Sequence, residues 1–140
     1  MNREAIHQAL FQRLGAVPGL LTLSRRLRHW SDVAAAEQPA LFQVQKSETA
    51  LREAGLPPRW RFAVDLFLYA RAADEQSPAS AVLNPLLDAI EAALAPDPGR
   101  TVQDLGGLVA HCWIAGKVET DEGVLGSQAV AILPVEILLA

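Results

Sequence analysis

His111 and Cys112 are adjacent in this chain of 140 residues, and their side chains are the most reactive pair in it. A cysteine thiolate with a histidine base within hydrogen-bond reach is an arrangement used in nucleophilic catalysis. The pair lies in an apolar run typical of a strand, however, and neighbouring strand residues point to opposite faces. We therefore expect a buried Cys112 and a surface His111. A small cysteine-dependent enzyme is kept as an alternative.

The other motifs that could carry chemistry are incomplete. His7 and His29 are isolated from carboxylates and thiols at metal-ligand spacing, and a single cysteine excludes a disulfide framework. Gly106-Gly107 lacks the lysine of a phosphate-binding loop, and Asp121-Glu122-Gly123 has too few spaced oxygens for a calcium loop. The sequence therefore predicts no enzyme, no cofactor and no metal site.

A short cationic cluster with an aromatic residue occupies Arg25–Trp30. Cations beside a tryptophan suit three settings: a solvated edge strand, a protein–protein contact, or a nucleic-acid site that holds phosphate and stacks on a base. The net charge of −4 argues against sequence-independent binding of duplex DNA as the main role. The cluster therefore favours an edge or a protein contact, and a nucleic-acid-binding module stays open.

The two halves of the chain differ in charge. Residues 1–73 hold ten Lys/Arg and six Asp/Glu, whereas residues 74–140 hold two Lys/Arg and ten Asp/Glu. Solvated faces of opposite sign would explain this, and so would a subunit that associates head to tail in a ring. No apolar run approaches the roughly 18 residues of a membrane span, and no secretory signal is evident, so we expect no membrane partner.

The pattern of apolar residues predicts a single domain over residues 1–140, with the element order αβββαββ. The predicted elements are a helix over 2–15 capped by Asn2, strands over 22–30, 40–46 and 59–71, a helix over 79–95, and a terminal hairpin of strands 108–118 and 128–138 joined by a polar connection over 119–127. Pro85 either kinks the second helix or, with Asn84 as cap, begins it.

Strand 59–71 predicts how the layers are arranged. Its even positions from Trp60 to Ala70 form an unbroken apolar face, whereas Arg61, Asp65 and Arg71 mark the other face as mixed. A sheet covered by helices on one side only has this pattern. We therefore expect an α+β, two-layer sandwich, in which two helices pack on one face of a mostly antiparallel sheet of about four or five strands.

Seven short motifs, in order along nearly the whole chain, resemble the tail terminator (tail completion) proteins of long-tailed bacteriophages. In the terminal hairpin they are Leu105-Gly106-Gly107, Trp113-Ile114-Ala115-Gly116, the acidic turn Asp121–Gly126 and the strand Ala129–Ile137. Upstream they are Arg28-His29-Trp30, Gln38–Phe42 and the helix Pro85–Leu94, and the predicted N-terminal helix agrees as well. Each motif is weak alone, and their order and spacing carry the resemblance.

The resemblance implies a structural role at the top of the phage tail, in the neck of the virion, after assembly in the host cytoplasm. Such proteins form a homo-oligomeric ring, usually a hexamer, that caps the major tail tube protein at the length set by the tape-measure protein. The ring presents a surface to the head–tail connector, and the genome DNA passes through its lumen without specific binding. Another neck component, a head-closure or adaptor protein, is the main alternative.

Residues for subunit or tail-tube contacts are chosen from their chemistry, because the resemblance supplies no contact motif. Arginine and tryptophan are favoured in interface centres, and charges of opposite sign would meet between neighbouring subunits. The candidates are Arg25, Arg26, Arg28, Trp30, Asp32, Asp121 and Glu122.

Overall fold

Two α-helices, six strands and two short 3-10 helices follow one another in the computed structural model, which describes all residues 1–140. In chain order they are α1 (Arg3–Leu14), β1 (Thr22–Ser24), 3-10 turns at Trp30–Asp32 and Ala35–Glu37, β2 (Ala40–Leu51), β3 (Arg59–Arg71), α2 (Ser80–Ala93), β4 (His111–Ile114), β5 (Glu119–Gly123) and β6 (Gly126–Leu138). The predicted α+β class is confirmed.

The six strands form one sheet in the order β1-β2-β3-β6-β4, and β5 also pairs with β6. β1 runs parallel to β2, and all other pairs are antiparallel. The sheet is therefore mixed, and the order αβββαββ with four or five strands was wrong in its strand count. β1 lies at one edge, and β4 and β5 share the opposite edge.

The terminal hairpin differs most from the prediction. The expected strand over 108–118 is broken: β4 pairs with the end of β6, and β5 pairs with its beginning. The chain bends between them at Gly116, whose φ of 108° is open mainly to glycine. β5 lies within the predicted polar connection, because an edge strand needs backbone pairing but no apolar alternation.

Two earlier strands also have other bounds than predicted. Instead of reaching Trp30, β1 ends at Ser24, whose hydroxyl accepts the backbone N–H of Arg26 (3.0 Å) and so turns the chain. β2 continues to Leu51, beyond the predicted end at Lys46, as an exposed ribbon with β3 that carries a bulge after Gln45. Such a ribbon is held together by backbone hydrogen bonds, so its polar sequence does not show the apolar alternation by which a strand is predicted.

Both helices follow the prediction closely. Asn2 caps α1 by accepting the N–H of Ala5 (3.0 Å), and α2 is one helix with Pro85 inside it, so a start at Asn84 is excluded. Neither helix combines the length and the apolar content needed to cross a membrane.

The two faces of the sheet are covered differently. Buried side chains of α1 and α2 join the predicted core face of β3 in a cluster of 24 buried residues, which includes Leu10, Phe62, Leu66 and Ile90. The opposite face carries a cluster of only four buried residues: Val33, Ala40, Phe42 and Tyr69. Helices therefore cover one face only, as expected.

Candidate interaction surfaces at the sheet edges

The arginine cluster lies where the chain leaves β1, and two of its members have partners in their own chain. The guanidinium of Arg25 forms an ion pair with Glu4 of α1, which holds the pKa of that carboxyl below its usual range. Arg28 forms an ion pair with Glu37 (3.2 Å) and lies over the ring of Phe42, 5.8 Å from its centroid. Arg25 thus connects the segment to α1, and Arg28 connects it to Glu37 and to β2.

Glu37 is also part of a turn. It accepts the backbone N–H of Ala34 (3.0 Å), and this bond and the Arg28 guanidinium lower its pKa. The hydroxyl of Tyr69 donates to the carbonyl of Arg28 (2.7 Å), and burial raises the pKa of this tyrosine. These bonds fold residues 28–37 over the helix-free face.

Trp30 and Asp32 form the first 3-10 turn, instead of the strand end that the sequence predicted. Trp30 is half-buried and packs against the four-residue cluster, with the ring of His29 5.2 Å from its own. Asp32 is exposed and has no ion-pair partner. The structure thus brings Trp30 into the covering of the sheet and leaves Asp32 at the surface.

Arg26 is the one arginine of the cluster without a carboxylate partner. It is exposed, as are two leucines of the same segment, Leu21 (65%) before β1 and Leu27 (43%) directly after Arg26. No strand pairs with the outer side of β1. We call this surface, formed by Leu21, Arg26 and Leu27, the β1 edge.

On the opposite side of the sheet, Asp121 and Glu122 lie in β5, not in the tip of the hairpin. Glu122 accepts the backbone N–H of Ser80 at the start of α2, so it joins the strand to the helix. Asp121 is half-buried, makes no ion pair, and has one carboxylate oxygen, Oδ1, enclosed without a hydrogen-bond partner. Of these two acids, Asp121 alone lacks a partner within the chain.

The outer side of β5 pairs with no strand, and one valine directly precedes β5 in the chain while another directly follows it. Val118 is 37% exposed and Val124 is 82% exposed. We call the surface formed by Val118, Asp121 and Val124 the β5 edge. Sequence reasoning selected the charged residue of each edge and missed the apolar ones. For the β5 edge, the available signal was one valine at either end of a charged segment. The predicted hairpin instead assigned Val118 to a strand and Val124 to the polar connection.

Cys112 and His111 point to opposite faces, as predicted. Cys112 is buried under α2 at the end of a groove of about 620 Å³, and burial raises the pKa of its thiol to about 12. His111 lies on the helix-free face, with its ring 4.1 Å from that of Trp113. A thiol with so high a pKa is almost entirely protonated near neutral pH, which disfavours the cysteine-dependent alternative on physical grounds.

No cluster of three or more histidine, cysteine or acidic side chains is placed to hold a metal ion. The features that stand out are the two uncovered sheet edges, each with an unpaired charge and with exposed apolar side chains in the same segment. Their relation to phage tail proteins remains a prediction from the resemblance. Comparison with known proteins finds no match, either to a family model or to a curated protein.

Proposed function

We propose that the protein is a tail terminator of a long-tailed bacteriophage. In this role, identical subunits form a ring, hexameric in the proteins that the chain resembles, on top of the tail tube. The ring ends polymerisation of the major tail tube protein at the length set by the tape-measure protein. It then offers its upper surface to the head–tail connector, and DNA passes through the lumen.

One observation supports this proposal beyond the resemblance: the sheet is open at both edges, and the edges differ. The β1 edge carries an unpaired arginine and the β5 edge an unpaired aspartate. Two different complementary surfaces on one subunit give a heterologous contact, and such contacts generate rings when the rotation closes. An isologous dimer would instead bring like charges together, which is unfavourable.

Capping of growing tubes tests the proposal. The purified protein is added to polymerising tube protein of the same virus, and tube lengths are measured by negative-stain electron microscopy. We expect short, uniform tubes with a ring density at one end. Tubes that grow to the same length distribution with and without the protein would contradict the proposal.

The same experiment separates the main alternative. A head-closure or adaptor protein would bind DNA-filled heads and leave isolated tubes uncapped. Each labelled particle type is therefore sedimented with the protein, and co-sedimentation with tubes but not with heads is expected. Replacing Arg26, Arg28 and Trp30 together would be a poor test of ring contacts, because Arg28 and Trp30 also hold the segment on the sheet.

A further inference from the structure

The internal ion pairs single out one cation at the β1 edge. Arg25 and Arg28 are neutralised by carboxylates of their own chain, so the basic cluster seen in the sequence is reduced to Arg26. An arginine that has no internal partner, on a segment that also exposes Leu21 and Leu27, is available to bind an external carboxylate. Exposed apolar side chains on the same segment would help to exclude water from such a pair.

The β5 edge offers a carboxylate of the matching kind. Asp121 has no cation within its own chain, and its enclosed Oδ1 lacks a hydrogen-bond partner, although nearly all buried polar atoms in proteins have one. Glu119 and Glu122 are already engaged, by Lys117 and by the start of α2. The strand that carries this acid again has exposed apolar side chains next to its two ends, Val118 and Val124.

The geometry of the sheet excludes contact between these two surfaces within one molecule. β2, β3 and β6 lie between β1 and β5, so Arg26 and Asp121 of one chain are on opposite sides. In a head-to-tail arrangement, however, the β1 edge of each copy faces the β5 edge of the next. The second copy is thus the partner that satisfies both charges and covers both apolar pairs.

We propose that Arg26 of one copy forms an ion pair with Asp121 of the next copy. Leu21 and Leu27 pack against Val118 and Val124 of that neighbour. This inference depends on the ring proposed above, but not on whether the ring caps tail tubes.

Charge reversal tests the pair. Arg26→Glu and Asp121→Lys are each expected to weaken self-association at least tenfold in sedimentation-equilibrium experiments, with an unchanged circular dichroism spectrum. The matched controls are Arg52→Glu in the β2–β3 loop and Asp88→Lys on α2. Both replace an exposed charge that has no ion-pair partner, change the net charge equally, and are expected to associate like the original protein.

Mixing the two variants gives the sharper result. In a ring of alternating Arg26→Glu and Asp121→Lys subunits, half of the contacts carry the original pair and half the reversed pair. An equimolar mixture should therefore recover association to within a few fold of the original protein, whereas neither variant does so alone.

If Asp121→Lys does not fold, Asp121→Asn keeps the volume and removes the charge, and it should weaken association as much as Arg26→Gln.

The possible failures are distinguishable. Single variants that associate normally, or a mixture that stays dissociated, would overturn the ion pair while leaving the ring intact. An original protein that does not self-associate at any concentration would overturn both the ion pair and the ring. A ring that depends on Arg26 and Asp121 but leaves tubes uncapped would contradict only the proposed function.

Discussion

The same strands form both faces of the sheet, yet helices cover only one face. Leu133 of β6 is buried beneath the helices, whereas its neighbour Ile132, on the opposite face, is half-exposed. The helix-free face is covered only near Tyr69, by the turn that contains Trp30 and Val33. Because Leu133 and Ile132 are similarly apolar, the covering helices decide which of the two side chains is buried.

The largest expected effect comes from cutting into the helix-covered face. Leu133→Ala should lower the free energy of unfolding by about 3 kcal/mol, since it removes buried methylenes and leaves a cavity. Ile132→Ala is the matched control on the other face and should lower it by only about 1 kcal/mol. Urea denaturation followed by circular dichroism measures both. Equal losses would show that the two faces contribute alike.

A buried amide pair fastens the loop before β2 to the sheet. Gln38 and Gln128 exchange hydrogen bonds of 2.8 and 3.0 Å, and Gln128 also donates to the carbonyl of Ala70. Gln128→Leu should lower the free energy of unfolding by about 2 kcal/mol, because it leaves buried groups of Gln38 unsatisfied. The double variant Gln38→Leu/Gln128→Leu should lose less than the sum of the single variants. Additive losses in this cycle would argue against coupling.

The helix-covered face also contains a titratable group. His7 of α1 is buried and stacks on Phe62 (5.5 Å between centroids), with both ring nitrogens unpartnered. Burial, assisted by Arg25 and opposed by Glu4 and Glu48, lowers its pKa. Below about pH 6.5, the unfolded chain therefore binds a proton at His7 more readily than the folded chain does. The free energy of unfolding should consequently decrease as the pH is lowered below about 6.5.

His7→Leu tests this dependence by removing the titration while keeping an apolar side chain on Phe62. The free energy of unfolding of this variant should change less between pH 6.5 and 5 than that of the original protein. Both proteins should also lose stability at lower pH, as the carboxyl groups with lowered pKa values, such as Glu37 and Asp74, become protonated. If the free energies of unfolding of the two proteins changed in parallel at every pH, His7 would not contribute to the pH dependence of stability.

The smallest effect concerns the thin covering of the helix-free face. Tyr69→Phe removes the hydrogen bond to the carbonyl of Arg28 and should lower the free energy of unfolding by about 1 kcal/mol. Hydrogen exchange should show faster opening of residues 28–33, with little change in α1 as the internal control. Unaltered exchange there would mean that Trp30 and Arg28 hold the turn without Tyr69.

Sequence reasoning succeeded where one local pattern determined the structure. The period-two pattern of β3 gave its bounds and its faces, because a central strand is buried by neighbours on both sides. Asn2 indicated the start of α1, because a helix cap is formed between residues only three positions apart, here Asn2 and Ala5. In both cases the information lies within the segment itself.

It failed where distant residues decide. Glu4 neutralises Arg25 from 21 residues away and Glu37 neutralises Arg28 from nine, so no local pattern shows that Arg26 alone is left free. β5 was missed because a charged strand forms only when β6 supplies its hydrogen bonds. The sequence signals for the break between β4 and β5 are Gly116 and the unusual length of the predicted strand over 108–118.

The position of β6 has a consequence for how the chain folds during synthesis. β6 is the last strand, yet it lies between β3 and the edge formed by β4 and β5, and its face contributes Ala131, Leu133 and Val135 to the core. Until β6 has left the ribosome, β3 has an unpaired side, and neither β4 nor β5 has any partner. Before β6 is added, the nascent chain can therefore form only the part of the sheet made of β1, β2 and β3, and the apolar face of β3 lacks its neighbour on one side.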